Sequence, residues 1–161
     1  FRDTHRSWIP GNCCVPAEQK HITITERLIM LKKANIINKP WGHEEIWAMT
    51  PRYAGKILYI KKGHRLSRQY HNTKEETIMV LDGVLTCEEG PSDKGAQVIT
   101  HIMKPGEIFH VFPGTIHRFC AEETDVRLVE VSTSEINDVV RLEDDYRRIT
   151  DFPTPPPSSG K

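Results

Sequence analysis

Four residues in this 161-residue chain stand at spacings that suit metal chemistry. Gln69 and His71 are two apart, so on one strand they face the same side. Glu76 opens the next apolar run, and His117 follows the turn Pro113-Gly114 much later in the chain. Together they offer two imidazoles, a carboxylate and an amide oxygen. Such a set suits one borderline divalent ion, zinc ahead of manganese, iron, cobalt or nickel. The set carries one negative charge, so a bound dication stays net positive and acts as a Lewis acid on a substrate oxygen. An octahedral ion would keep open positions for neighbouring substrate oxygens. Taken singly, each histidine is more often a surface or hydrogen-bonded residue than a ligand; only the joint spacing carries weight.

The elements that must position these residues read as β. Lys56-Ile57-Leu58-Tyr59-Ile60 is apolar and stops at Lys61-Lys62-Gly63. Thr77–Leu81 ends at Asp82-Gly83, a hairpin signal, and Val84-Leu85-Thr86-Cys87 reads as the return strand. Residues 97–102, 108–112 and 126–131 read as further strands, separated by Lys104-Pro105-Gly106-Glu107 and Pro113-Gly114. Short strands with turn signals between them predict an all-β sandwich or barrel. Only Asn137 to Arg148 carries a helical hint, so a short C-terminal helical segment is expected. Residues 1–35 fit no element and are expected to be an accessory or non-native segment, with Met30 as the natural start. The barrel should occupy residues 36–148, and the proline-rich residues 149–161 should form a disordered tail.

Composition narrows the function. The 22 basic and 22 acidic residues cancel, so nothing favours a grip on nucleic acid or an anionic membrane. No apolar run reaches the length of a membrane span, and the N-terminus lacks a signal-peptide layout. Cys13, Cys14, Cys87 and Cys120 form no CxxC pair, which reads as free thiols and a cytoplasmic location.

Two segments resemble the paired motifs of the cupin family. In the first, Gly63, five residues, Gln69-x-His71, four residues, Glu76, six residues and Gly83 follow the pattern, with Gln69 in place of its first histidine. In the second, Gly106, Gly114 and His117 match, while Phe112 and Ala121 replace the usual proline and asparagine. The departures are informative. Ser67 and the Gln-x-His variant resemble the C-terminal cupin domain of type II mannose-6-phosphate isomerases. So do Lys39-Pro40-Trp41-Gly42, Lys56, His117-Arg118, Leu128–Val131 and Val140–Arg148. The family's His-Trp after the metal glutamate is Thr77-Ile78 here. No nucleotide-binding glycine loop occurs in residues 1–35, so nucleotidyl transfer is not expected.

The resemblance implies a jelly-roll (double-stranded β-helix) barrel that holds one metal ion through Gln69, His71, Glu76 and His117. It also implies isomerisation of a sugar phosphate, mannose 6-phosphate to fructose 6-phosphate, and a homodimer. That chemistry needs a base beside the carbonyl carbon and charge stabilisation on the substrate oxygens. Glu130 is the candidate base, because alternation within Leu128–Val131 sets it opposite Val129 and Val131, facing a barrel interior. Lys56 and Arg118 are candidate catalytic and substrate-binding cations, with Ser67 beside them and Arg68 and Lys104 as weaker phosphate contacts. Trp41 is a candidate cavity wall. His43, His64, His101 and His110 lack a partner pattern. Two rival readings share the ligands: a non-catalytic metal-containing sugar-binding cupin, and an iron-dependent oxygenase built on His71, Glu76 and His117.

Overall fold

The computed structural model describes residues 32–90 and 97–148. The expectations for a start at Met30 and for a proline-rich tail lie outside the described residues. The strands are β1 (Asn35–Lys39), β2 (Gly42–Met49), β3 (Ala54–Ile60), β4 (His64–Arg65), β5 (Arg68–Tyr70) and β6 (Glu76–Asp82). They continue as β7 (Leu85–Glu89), β8 (Ile99–Met103), β9 (Ile108–Val111), β10 (His117–Ala121), β11 (Val126–Ser132) and β12 (Val140–Glu143). Two antiparallel sheets result. One runs β1-β2-β3-β11-β6-β9; the other runs β12-β5-β10-β7-β8, with β4 also pairing β10. The all-β barrel expected from the strand and turn pattern is what the chain adopts.

Burial follows strand parity. Along β11, Val126, Leu128, Glu130 and Ser132 are buried, whereas Arg127 and Val131 are exposed. The inward set changes character part-way along each strand. Ile60 and Leu58 of β3 give way to Lys56, and Val126 and Leu128 of β11 to Glu130. Val80 and Ile78 of β6 give way to Glu76, and Ala121 and Phe119 of β10 to His117. The register aligns the change on β3 with that on β11, Leu128 opposite Leu58 and Glu130 opposite Lys56, and on β6 it falls one step further on, with Glu130 opposite Ile78 and Ser132 opposite Glu76. One end of the barrel is therefore a packed apolar core that includes Trp41, Leu85, Met103 and Val111. The other end is a polar interior. Burying several ions together is costly, so such an end persists only when the charges pair with one another or with a ligand.

Two expectations are corrected. Asp82-Gly83 does not close a hairpin, because β6 belongs to the first sheet and β7 to the second. Gly83 (φ 82°) instead carries the chain from one sheet to the other, and a Cβ there would overlap the Asp125 carbonyl. The expected C-terminal helical segment is also absent from the described residues. Val140 to Glu143 form a strand on β5, with Val140 opposite Tyr70 and Arg141 opposite Gln69. The β-branched pair Val139-Val140 suits an extended chain. Beyond the strand, the Asp144 carboxylate accepts from the Arg148 backbone N–H at 2.6 Å and from its guanidinium. Arg147 takes a left-handed conformation (φ 58°), which a helix does not tolerate.

Candidate metal centre and its cavity

The turn Pro113-Gly114 sets the geometry of the site. Gly114, at φ 83°, donates its N–H to the His71 carbonyl at 2.7 Å, tying the two motif segments together. β10 then begins at His117, opposite Gln69 of β5. Glu76 enters from the other sheet as the first residue of β6. Ligand atoms of His71, Glu76 and His117 lie within 4.8 Å of one another, and all three residues are buried.

The hydrogen bonds at the far side of each ring decide what the near side can do. The His71 Nδ1 meets the Asp138 backbone carbonyl, and the His117 Nδ1 meets the Thr115 carbonyl at 2.9 Å. A carbonyl only accepts, so each Nδ1 carries a proton and each Nε2 keeps its lone pair. Both Nε2 atoms are buried without a hydrogen-bond partner among the described residues. They point at opposite oxygens of Glu76, His117 at 3.4 Å and His71 at 3.7 Å. Lone pairs aimed at a buried carboxylate repel it unless a cation lies between them. The donor set thus fits a divalent ion, with two imidazoles oriented by backbone carbonyls in the manner of metal-bound histidines.

Gln69 faces the same interior. Its side-chain oxygen accepts the Ser67 hydroxyl at 2.7 Å, so Ser67 acts here by orienting the amide. Glu130 lies beyond the histidines, 3% exposed. It accepts from Lys74 Nζ at 2.8 Å, and Lys56 Nζ lies 3.4 Å away. Lys74 also bonds Glu76, so one ammonium bridges the two buried carboxylates. Lys74 is not among the residues that the sequence singles out. Its signal was parity: it stands two before Glu76, on the same inward side. Asp138 was also missed. Its carboxylate accepts from the backbone of Thr73 at 2.6 Å, Lys74 at 2.9 Å and Asn72 at 3.1 Å, while its carbonyl orients His71. No local pattern marks it, because its partners lie more than sixty residues away.

A cavity of about 280 Å³ opens onto these groups. Trp41, Lys56, Ser67, Gln69, His71 and Glu76 line it, with Lys74 and Glu130. Trp41 both walls the cavity and packs into the core. Arg118 is not brought there. It follows His117 by one residue and so points to the other face, where Glu143 takes its guanidinium at 2.6 Å. Arg68 shares that outer cluster with Glu88 and Glu143, and Lys104 lies in an exposed turn.

The two-sheet fold is that of a cupin barrel, and residues 56–132 match the family model described as Cupin domain. The chain is 27% identical over 118 residues to the alginate biosynthesis protein AlgA of Pseudomonas aeruginosa, covering 70% of this chain and 23% of that protein. It therefore spans about a quarter of that relative's length. Among solved structures, the capsular polysaccharide assembling protein CapF of Staphylococcus aureus superposes with a TM-score of 0.61 at 18% identity, over 69% of this chain and 34% of that one. KdgF from Halomonas sp. gives a TM-score of 0.54 at 19% identity, over 65% of this chain and 91% of that one. Oxalate decarboxylase of Bacillus subtilis gives 0.58 at 14%, over 68% and 30%. At these identities the superpositions speak to the fold alone. No helix among the described residues is long and apolar enough to cross a membrane.

Proposed function

We propose that this cupin is a metal-dependent aldose–ketose isomerase acting on a sugar phosphate, with mannose 6-phosphate and fructose 6-phosphate as the leading pair. The observation that carries the reading is a second buried carboxylate, Glu130, in the same cavity as the His71, Glu76 and His117 donor set. Hydrolytic metal sites need one activated water; proton transfer between adjacent carbons needs a separate base beside the metal. His71, Glu76 and His117, with Gln69, would hold the ion, which when bound supplies positive charge to neighbouring sugar oxygens. Glu130 takes the proton from the hydroxyl-bearing carbon beside the carbonyl and returns it to the former carbonyl carbon, while the proton of that hydroxyl passes to the former carbonyl oxygen. Lys74 keeps Glu130 in place, and Lys56 donates toward a substrate oxygen. Trp41 and Phe119 limit water at the cavity floor.

A coupled isomerase assay across sugar phosphates and free sugars, with zinc, manganese, iron, cobalt and nickel in turn, tests the proposal. Turnover with a sugar phosphate is expected. His71→Ala should lose metal and activity together, whereas Glu130→Gln should keep the metal and lose about 10²- to 10⁴-fold in kcat. An active, metal-free His71→Ala protein overturns the mechanism. The two-histidine, one-carboxylate set also favours a second reading, an iron-dependent oxygenase. Oxygen uptake under ferrous iron without isomerisation would select it.

A further inference from the structure

The cavity is unevenly charged. Five cations line it, Lys39, Lys56, Lys74, Arg141 and Arg148, against three carboxylates, Glu44, Glu76 and Glu130. Lys39 is held by Glu44 at 3.4 Å, and Lys56 and Lys74 are held by Glu130, with Glu76 sharing Lys74. Arg148 is held by Asp144. Among the described residues, Arg141 alone of these five has no carboxylate within ion-pair distance. Its Nε is buried and has no hydrogen-bond partner. A guanidinium left so within a cavity is a site prepared for an anion.

Its position gives the geometry. Arg141 pairs with Gln69 on β5, and Gln69 pairs with His117 on β10. The three residues form one row across adjacent strands, each step about 4.8 Å. Arg141 is thus roughly two strand spacings, about 10 Å, from His117 across the sheet. That suits a ligand whose reacting oxygens lie at the His71, Glu76 and His117 group and whose anionic end lies several bonds away. We infer that Arg141 binds the terminal anionic group of the substrate, a phosphate or carboxylate at the far end of a sugar. Arg148 lies nearby on the same cavity wall. The inference rests on that cavity being the substrate site proposed above. It replaces Arg118, the sequence candidate for this contact, which faces away.

Calorimetric titration of the metal-loaded full chain tests it, with mannose, mannose 6-phosphate and mannuronate as probes. At least one of the two anionic sugars should bind tenfold or more tighter than mannose, and which one does distinguishes phosphate from carboxylate. Arg141→Met should lose about 10- to 100-fold in affinity for that anion, as expected for a charge-assisted hydrogen-bonded contact. Its affinity for mannose and its metal content should stay unchanged. Arg141→Lys, which keeps the charge and the fold but not the fork, should fall between. Equal binding of all three sugars by the unaltered protein overturns the inference. So does an anion preference that survives in Arg141→Met. If no sugar phosphate is turned over but the Arg141-dependent preference is present, the isomerase proposal fails and the anion site stands. If turnover is present and Arg141→Met keeps the preference, the reverse holds.

Discussion

Lys74 is 3% exposed and lies between Glu76 and Glu130, so its ammonium neutralises two carboxylates that have little other solvation. Burial works against its charge, but Glu130 and Glu76 more than restore it, and its pKa is raised. Removing one partner of a buried ion cluster leaves the others uncompensated. Lys74→Met should therefore lower unfolding stability by about 3–5 kcal/mol, measured by urea denaturation. The double change Lys74→Met with Glu130→Gln should recover part of that loss, since one of the stranded charges is gone. The histidines and Glu76 were legible in the sequence because their spacing is local and ordered. Glu130 was legible through strand parity. Arg118 was not legible as an outward residue, because the one-residue offset from His117 matters only once His117 is known to face inward. Lys74 was hidden by its turn-like neighbours Asn72 and Thr73.

At the level of elements, Asp138 fastens the connection between β11 and β12 to the connection between β5 and β6. The backbone N–H groups of Thr73 and Lys74, then those of Asn72, depress its pKa far below the ordinary value. A depressed carboxyl contributes stability that is present above its unfolded pKa, about 3.9, and is lost as pH falls through the folded value. The melting temperature should accordingly hold near neutrality and fall below about pH 4. Asp138→Ala should lower it at pH 7 and flatten part of the acid decline, as thermal scans from pH 7 to 3 would record. His71 should also lose metal affinity in that variant only if its carbonyl partner shifts, which metal titration would reveal. β3, β6 and β11 were readable from apolar alternation and bounding turns. β10 was not, because His117-Arg118-Phe119-Cys120 shows no polar–apolar alternation and every one of its side chains is buried. β12 was misread because its cations and carboxylates mimic helical charge spacing; pairing with β5 decides its state.

Across the whole molecule, the two sheets enclose an apolar end that contains Cys87, and Cys120 is buried outside that cluster. Cys87 and Cys120 are free and buried, and burial pushes both up to about 12. In the folded protein at neutral pH both should resist iodoacetamide, and both should react once urea unfolds the chain, as peptide-level mass spectrometry would show. The donor set spans the two sheets, since Glu76 lies in one and His117 in the other. Zinc that binds the folded chain alone should raise its melting temperature by mass action, and a chelator should reverse the gain. The composition of the cavity wall has a different consequence. Half of its lining residues fall within the family-matched stretch 56–132, among them Lys56, Gln69, His71, Glu76 and Glu130. The other half, including Lys39, Glu44, Asn137, Arg141 and Arg148, come from the flanking strands and turns. The donor set thus lies within the matched stretch, while part of the wall around it does not. Exchanging Arg141 and Arg148, rather than the whole stretch 134–148, would change the charge of that wall and leave Asp138 in place behind His71.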